Sequence, residues 1–117
     1  MTGFLTTHVL DTARGCPAEG LKIDLFRLEG DERHFLKSLV TNSDGRTDQQ
    51  ILPSDEFSKG QYELVFHAGD YLDASGTPPE DPRFLDVVPI RFGMSQEDHY
   101  HVPLLLSPFG YSTYRGS

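Results

Sequence analysis

A chain of 117 residues is expected to form one domain, spanning 1–117, and at that size it can bury roughly two-thirds of its unfolded surface, enough for a core without staples. Eighteen Asp and Glu against ten Lys and Arg give a formal charge of −8, which argues against nucleic acid, because binding phosphates needs a concentrated basic surface. The same field repels anions, so an anionic or electron-rich ligand requires a local cluster of Arg or His that reverses its sign.

The first residues, Met1-Thr2-Gly3-Phe4-Leu5-Thr6-Thr7-His8, lack the basic region and apolar run of a secretory leader. No stretch approaches the roughly 20 apolar residues that span a membrane, so the expectation is a cytoplasmic protein without a membrane partner. Residues 4–11 alternate as a strand, with Leu5, Thr7 and Val9 on one face and Thr6, His8 and Leu10 on the other. An imidazole therefore stands off the apolar face. Residues 13–20 are a Gly- and Pro-marked turn region holding Cys16, the only cysteine. One thiol excludes an intrachain disulfide and suits a reducing compartment. Residues 22–28 read as a strand with Ile23 and Leu25 inward and a phase that blurs at Phe26. A charged turn over 29–33 leads to a strand over 35–41. Asn42-Ser43-Asp44-Gly45 is then a tight turn whose Asx side chains and Gly suit a hairpin. Arg46 follows it directly, its base held by the turn. Residues 47–52 are expected to be a short extended segment, and 53–57 a loop or a single helical turn.

Residues 61–67 alternate cleanly, Tyr62, Leu64 and Phe66 opposite Glu63, Val65 and His67. Residues 68–75 are the only plausible helix, about two turns long. The prolines of 76–82 exclude regular structure there. Over 84–92, Val88, Ile90 and Phe92 alternate, and Pro89 suggests an edge strand. A polar turn over 93–98 precedes the richest stretch, residues 99–117. Tyr100, Val102, Leu104 and Leu106 share its core face; His99, His101, Pro103 and Leu105 share the other. Ser107-Pro108-Phe109-Gly110 is a turn, after which Ser112 and Tyr114 face away from Tyr111, Thr113 and Arg115. There is no internal repeat, low-complexity segment or linker. Seven or eight short strands with one short helix indicate an antiparallel β-sandwich.

Taken alone, a histidine on a strand is more often structural than catalytic. His99 and His101, two apart, suggest metal ligands, yet no Cys or carboxylate pair of familiar spacing completes such a site, so the expectation is no metal. Asp55-Glu56, Glu80-Asp81 and Glu97-Asp98 sit in turns and read as solvated. Cys16 has no partner to activate it and no Gly-x-Ser-x-Gly elbow is present, which speaks against nucleophilic catalysis.

Three blocks resemble the 5-hydroxyisourate hydrolase family, the enzymatic relatives of transthyretin: Thr7-His8-Val9-Leu10-Asp11 with Gly15-Cys16-Pro17-Ala18; Thr41-Asn42-Ser43-Asp44-Gly45-Arg46; and residues 99–117, ending in the tetrapeptide Tyr114-Arg115-Gly116-Ser117. The resemblance implies a transthyretin-like sandwich of two four-stranded sheets, and a homotetramer whose central channel holds the active sites. It implies hydrolysis of 5-hydroxyisourate to 2-oxo-4-hydroxy-4-carboxy-5-ureidoimidazoline in urate degradation, without a cofactor. On that reading His8 or His101 takes water's proton, since a neutral imidazole is a base near physiological pH. Arg46 orients the flat substrate and stabilises the oxyanion. Tyr114, Arg115, Gly116 and Ser117 close the pocket, Ser117 acting through its hydroxyl or the terminal carboxylate. His99 and His67 are expected behind the site or at the surface. The alternative is a non-catalytic transthyretin-like carrier or interaction module, with an aromatic ligand in the channel.

Overall fold

The computed structural model describes residues 2–116 of the chain. Ten strands and one helix form among them: β1 (Phe4–Thr6), β2 (Val9–Asp11), β3 (Cys16–Pro17), β4 (Lys22–Glu29), β5 (Glu32–Val40), β6 (Gly60–His67), α1 (Ala68–Ala74), β7 (Val87–Met94), β8 (His99–His101), β9 (Leu104–Ser107) and β10 (Gly110–Thr113). They build two four-stranded sheets, β10-β9-β2-β3 and β5-β4-β6-β7, with β1 and β8 paired as a two-stranded extension. Leu5, Val9, Leu104 and Leu106 from one side and Ile23, Leu25, Leu64 and Phe66 from the other are fully buried between them. Each such side chain contributes about 1.5–3 kcal/mol relative to leaving it in water. This is the expected sandwich, and the alternation in its strands assigns the faces as expected: Tyr100 and Val102 also lie in the core, while Thr6, His8 and Leu10 are only partly covered.

Two pairings depart from a purely antiparallel pattern. β1 runs parallel to β8, with Thr6 beside His101, and β2 runs parallel to β9, with Val9 beside Leu104. Between these pairs Thr7 is buried, and its hydroxyl donates to the carbonyl of Val102 at 2.6 Å, pinning the bend where β1 gives way to β2. The parallel ladder is what brings the first and last strands of the chain together on the site side.

Other boundaries moved for local reasons. The charged turn shrinks to Gly30 and Asp31, because β4 and β5 stay paired out to Glu29 and Glu32. The blurred phase at Phe26 is a β-bulge between Leu25 and Phe26. β7 is displaced toward the C-terminus, starts at Val87 and lies at a sheet edge with Pro89, as its proline requires. The 42–45 turn forms, with Asn42 Oδ1 accepting from the backbone of Asp44 and Arg46, but it joins no hairpin. The chain leaves it to bridge His8 instead. Residues 47–52 contribute only one bridge, Leu52 to Leu5, the segment running alongside the residue 5–8 stretch that Arg46 also bridges. α1 packs Ala68, Tyr71 and Leu72 inward, and the Tyr71 hydroxyl donates to Asp11 Oδ2 at 2.7 Å. Burial and the adjacent Asp11 carboxylate push the Tyr71 phenol up to about 12, so it remains a donor clamping β2 in place.

Candidate active site

On the face of the β1–β8 pair opposite the core lies an open pocket of about 930 Å³, lined by Thr6, His8, Arg46, Asp98, His99 and His101 with Tyr114, Arg115 and Gly116. Each element delivers its side chain for a plain reason. Phe4, Thr6 and His8 project to one side because strand positions two apart share a face. His99 and His101 do so from β8, and the parallel register sets the two rows side by side. Arg46 arrives from the 42–45 turn. Its backbone bridges His8, the carbonyl of Gly45 accepts from the amide of Val9 at 2.8 Å, and the Arg46 carbonyl accepts from Asn42 at 2.7 Å. Gly45 sits at φ +75°, and a Cβ there would run into the Val9 carbonyl oxygen, so the turn admits no side chain.

The imidazoles of His8 and His101 are joined Nδ1 to Nε2 at 2.6 Å, with ring centroids 4.8 Å apart. His101 Nδ1 meets the Thr6 hydroxyl at 2.7 Å, and the same hydroxyl meets His99 Nε2 at 2.7 Å. His99 in turn stacks on Phe4, centroids 4.1 Å apart. Both nitrogens of His101 are thus committed. Among the described residues, His8 Nε2 has no protein partner, which leaves it available to a molecule in the pocket. Burial first, and then the Arg46 charge, lower the pKa of His8 below its usual 6.5. Burial, His8, Arg46 and His99 bring His101 down to about 4. Both rings are therefore neutral at physiological pH, the state in which an imidazole accepts a proton.

The tetrapeptide folds back over this cluster. The Gly116 amide donates to the His101 carbonyl at 2.7 Å, and a Cβ on Gly116 would sit 3.0 Å from the His101 ring, so a side chain there would press on that imidazole unless one of them gave by a few tenths of an ångström. Arg115 lies over the Tyr100 ring, 4.1 Å from its centroid, and reaches Asp98 Oδ2 at 3.2 Å. Its charge is thereby answered at the rim. Tyr114 is 54% exposed at the pocket wall. Ser117 lies outside the described residues. The structure thus brings His8, Arg46, His101, Tyr114, Arg115 and Gly116 to one cavity. His67 is remote from it, bound to Asp24 at 2.9 Å on the other sheet. His99, expected at the periphery, belongs to the cluster itself. Thr6 and Asp98 were not singled out by sequence; the only signal was that Thr6 shares the face of His8 and that Asp98 precedes His99. No set of three or more His, Cys, Asp or Glu converges with metal-holding geometry among the described residues.

A model of the HIUase/Transthyretin family matches residues 5–116. The 5-hydroxyisourate hydrolase 2 of Rhizobium meliloti is 63% identical over 117 residues, covering 99% of this chain and 98% of that protein. The structure of Klebsiella pneumoniae 5-hydroxyisourate hydrolase superposes with a TM-score of 0.81 at 36% identity, covering 98% of this chain and 99% of that one. A crystal structure of (S)-allantoin synthase gives a TM-score of 0.91 at 48% identity; the match covers 99% of this chain and 44% of that longer one.

Proposed function

The chain belongs to the HIUase/Transthyretin family, and from that membership and the pocket geometry we propose that it is a hydrolase that opens the ring of 5-hydroxyisourate. The product is 2-oxo-4-hydroxy-4-carboxy-5-ureidoimidazoline, a step of urate degradation. Water held against His8 Nε2 gives up a proton to that nitrogen and attacks a ring carbonyl. His101, fixed by Thr6 on one side and bonded to His8 on the other, sets the direction of the His8 ring and hence the tautomer it presents. Arg46 contributes a planar, permanently charged fork for the carbonyl and ring acceptors of the substrate and for the oxygen that becomes negative. Tyr114, Arg115 and Gly116 form the wall that holds the heterocycle. The carrying observation is the His8–His101 contact with one nitrogen left facing the pocket beside Arg46. This cationic corner is also the local reversal of sign that a −8 chain needs for an electron-rich substrate.

The active form is a homotetramer, in which other copies enclose the open pocket. Its support is that open pocket, with Tyr114 on its wall 54% exposed, and the aromatic side chains left uncovered on the β9–β10 hairpin, Tyr111 at 46% and Phe109 at 65%. No helix among the described residues is long and apolar enough to cross a membrane. The free Cys16 fits a cytoplasmic setting. The test is to follow the absorbance of freshly generated 5-hydroxyisourate with wild type and His101→Asn, alongside light scattering for mass. Decay no faster than in buffer overturns the hydrolase, tight binding of an aromatic ligand without turnover replaces it with a carrier, and a monomer of full activity overturns the tetramer.

A further inference from the structure

The pair His8–His101 is half of a longer line. Three contacts run in series through the pocket floor: His8 Nδ1 to His101 Nε2 at 2.6 Å, His101 Nδ1 to Thr6 Oγ1 at 2.7 Å, and Thr6 Oγ1 to His99 Nε2 at 2.7 Å. The line zigzags between two parallel strands, β1 with its extension to His8 and β8, because residues two apart on each present the next group to the other. A neutral imidazole carries one N–H and a hydroxyl one O–H. With every contact filled and the hydroxyl donating within the line, only two arrangements exist: all hydrogens directed toward His99, or all toward His8. In the first, His8 Nε2 is bare and faces the pocket. In the second, it carries a hydrogen.

We propose that Thr6 and His99 take part in the hydrolysis, the line His8–His101–Thr6–His99 carrying the proton taken from water to His99 and returning it to the departing ring nitrogen. The inference rests on the reading of His8 as the base. In the forward step the water O–H bond breaks and its oxygen bonds to the carbonyl carbon while His8 Nε2 receives the proton. His8 then passes its Nδ1 hydrogen to His101 Nε2, His101 passes its own to Thr6 Oγ1, and Thr6 passes its hydrogen to His99 Nε2. His99 holds the positive charge and His8 is neutral, its hydrogen now on Nε2. In the return step that hydrogen moves to the ring nitrogen as the C–N bond breaks and its electron pair goes to nitrogen. Each hydrogen shifts back, and the line regains its starting tautomers. One water has been added and nothing else consumed.

The surroundings favour His99 as the resting place. A proton kept on His8 stays next to Arg46, whose backbone bridges that residue. His101 is 8% exposed and, held at about 4, does not retain one. His99 is half-buried at the opposite end. The groups facing it are the stacked Phe4 ring, the edge of His101, the Thr6 hydroxyl, and at the rim Asp98 and Arg115, which pair with each other. Asp98 Oδ1 also accepts from the His99 backbone amide at 2.8 Å, which places a carboxylate at this end. Thr6 and His99 act through His101 and are positioning and relay groups.

The decisive measurement is a proton inventory, the rate of 5-hydroxyisourate hydrolysis in graded mixtures of light and heavy water. Wild type should give a curved plot, since several hydrogens move together. Thr6→Val keeps the shape of the side chain and cuts the line, and His99→Phe keeps the stack on Phe4 and removes its end. Both should give linear plots, with kcat lower by about 10- to 100-fold and KM within about twofold, less than the loss of the base itself. Thr6→Ser should restore curvature and most of kcat. Wild-type kcat in Thr6→Val, a curved plot in His99→Phe, or a Ser variant as impaired as Val overturns the relay while the hydrolase stands. Wild type no faster than buffer overturns the reading beneath it, and the relay with it.

Discussion

The two sheets carry their buried polar groups in opposite ways. On β6, Glu63 is buried and held by Arg33 at 2.6 Å and Arg91 at 2.9 Å, and nearby Asp24 accepts from His67. Burial alone would raise the Glu63 carboxyl, yet Arg91 and Arg33 outweigh it and hold the group below its usual range. Asp24 is lowered in the same way, its burial outweighed by His67, Ser38 and Lys22. The buried Glu63 carboxylate thus meets two arginines, and Asp24 meets His67 through Oδ2. The β1–β8 face is built from three imidazoles and a hydroxyl with an arginine alongside, and no carboxylate meets the imidazoles of His8, His99 or His101 among the described residues. A carboxylate there would hold the imidazoles charged and useless as bases. Its absence from that contact, with burial and then Arg46 acting on the rings, keeps His8 and His101 neutral. Paired charges stabilise one state; unpaired neutral donors and acceptors leave a proton free to move.

Breaking the site side should have the largest effect. His8→Asn removes the nitrogen facing the pocket and should lower kcat by about 10²–10⁴-fold in the absorbance assay, with the thermal midpoint nearly unchanged. A drop of less than tenfold would move the base role elsewhere. Breaking the other sheet should do the reverse. Glu63→Gln weakens both arginine contacts and should cost about 1–3 kcal/mol in urea unfolding while kcat stays at the wild-type value. Parallel loss of both would erase the contrast between the sheets.

Acidification separates the two without mutation. The folded-state values of His8 and His101 lie below 6.5, so between 6.5 and about 4 the unfolded chain binds protons that the folded chain refuses. Stability therefore falls as pH falls through that window, and kcat/KM falls with it as His8 becomes cationic. Glu63 and Asp24 have lowered values, so what they add is intact at pH 4.5 and above and disappears only below it. A rate profile whose acid limb is centred above pH 6.5 would contradict this order. The smallest effect is expected at Gly116. A Cβ 3.0 Å from the His101 ring can be accommodated by a shift of a few tenths of an ångström, so Gly116→Ala should reduce kcat by only about two- to tenfold. A larger effect on KM than on kcat would show that it acts on the pocket wall instead of the imidazole.

Much of this was legible in the residues. Alternation assigned the faces of His8 and His101 because one apolar face of each strand has to be buried, and the irregular phase at Phe26 marked a real bulge. The turn residues before Arg46 announced a rigid approach, since Asn42 and Gly45 have few other uses in that order. What they could not show was the destination. A hairpin and a run alongside residues 5–8 begin with the same turn chemistry, and only the bridge to His8 distinguishes them. The parallel pairing of β1 with β8 leaves no period in the chain, because it joins segments separated by the whole fold. Thr6 was on the correct face and still anonymous: a threonine in a strand is ordinary until an imidazole on each side gives its hydroxyl two partners.

That parallel ladder also ties activity to the completion of folding. Residues 93 to 95 positions apart must touch before His8, Thr6, His99 and His101 share a hydrogen bond, and a parallel neighbour cannot be reached by a short turn. No fragment ending before the last strands and no intermediate lacking them holds the cluster, so turnover after dilution from denaturant should recover with the slowest structural phase and never ahead of it.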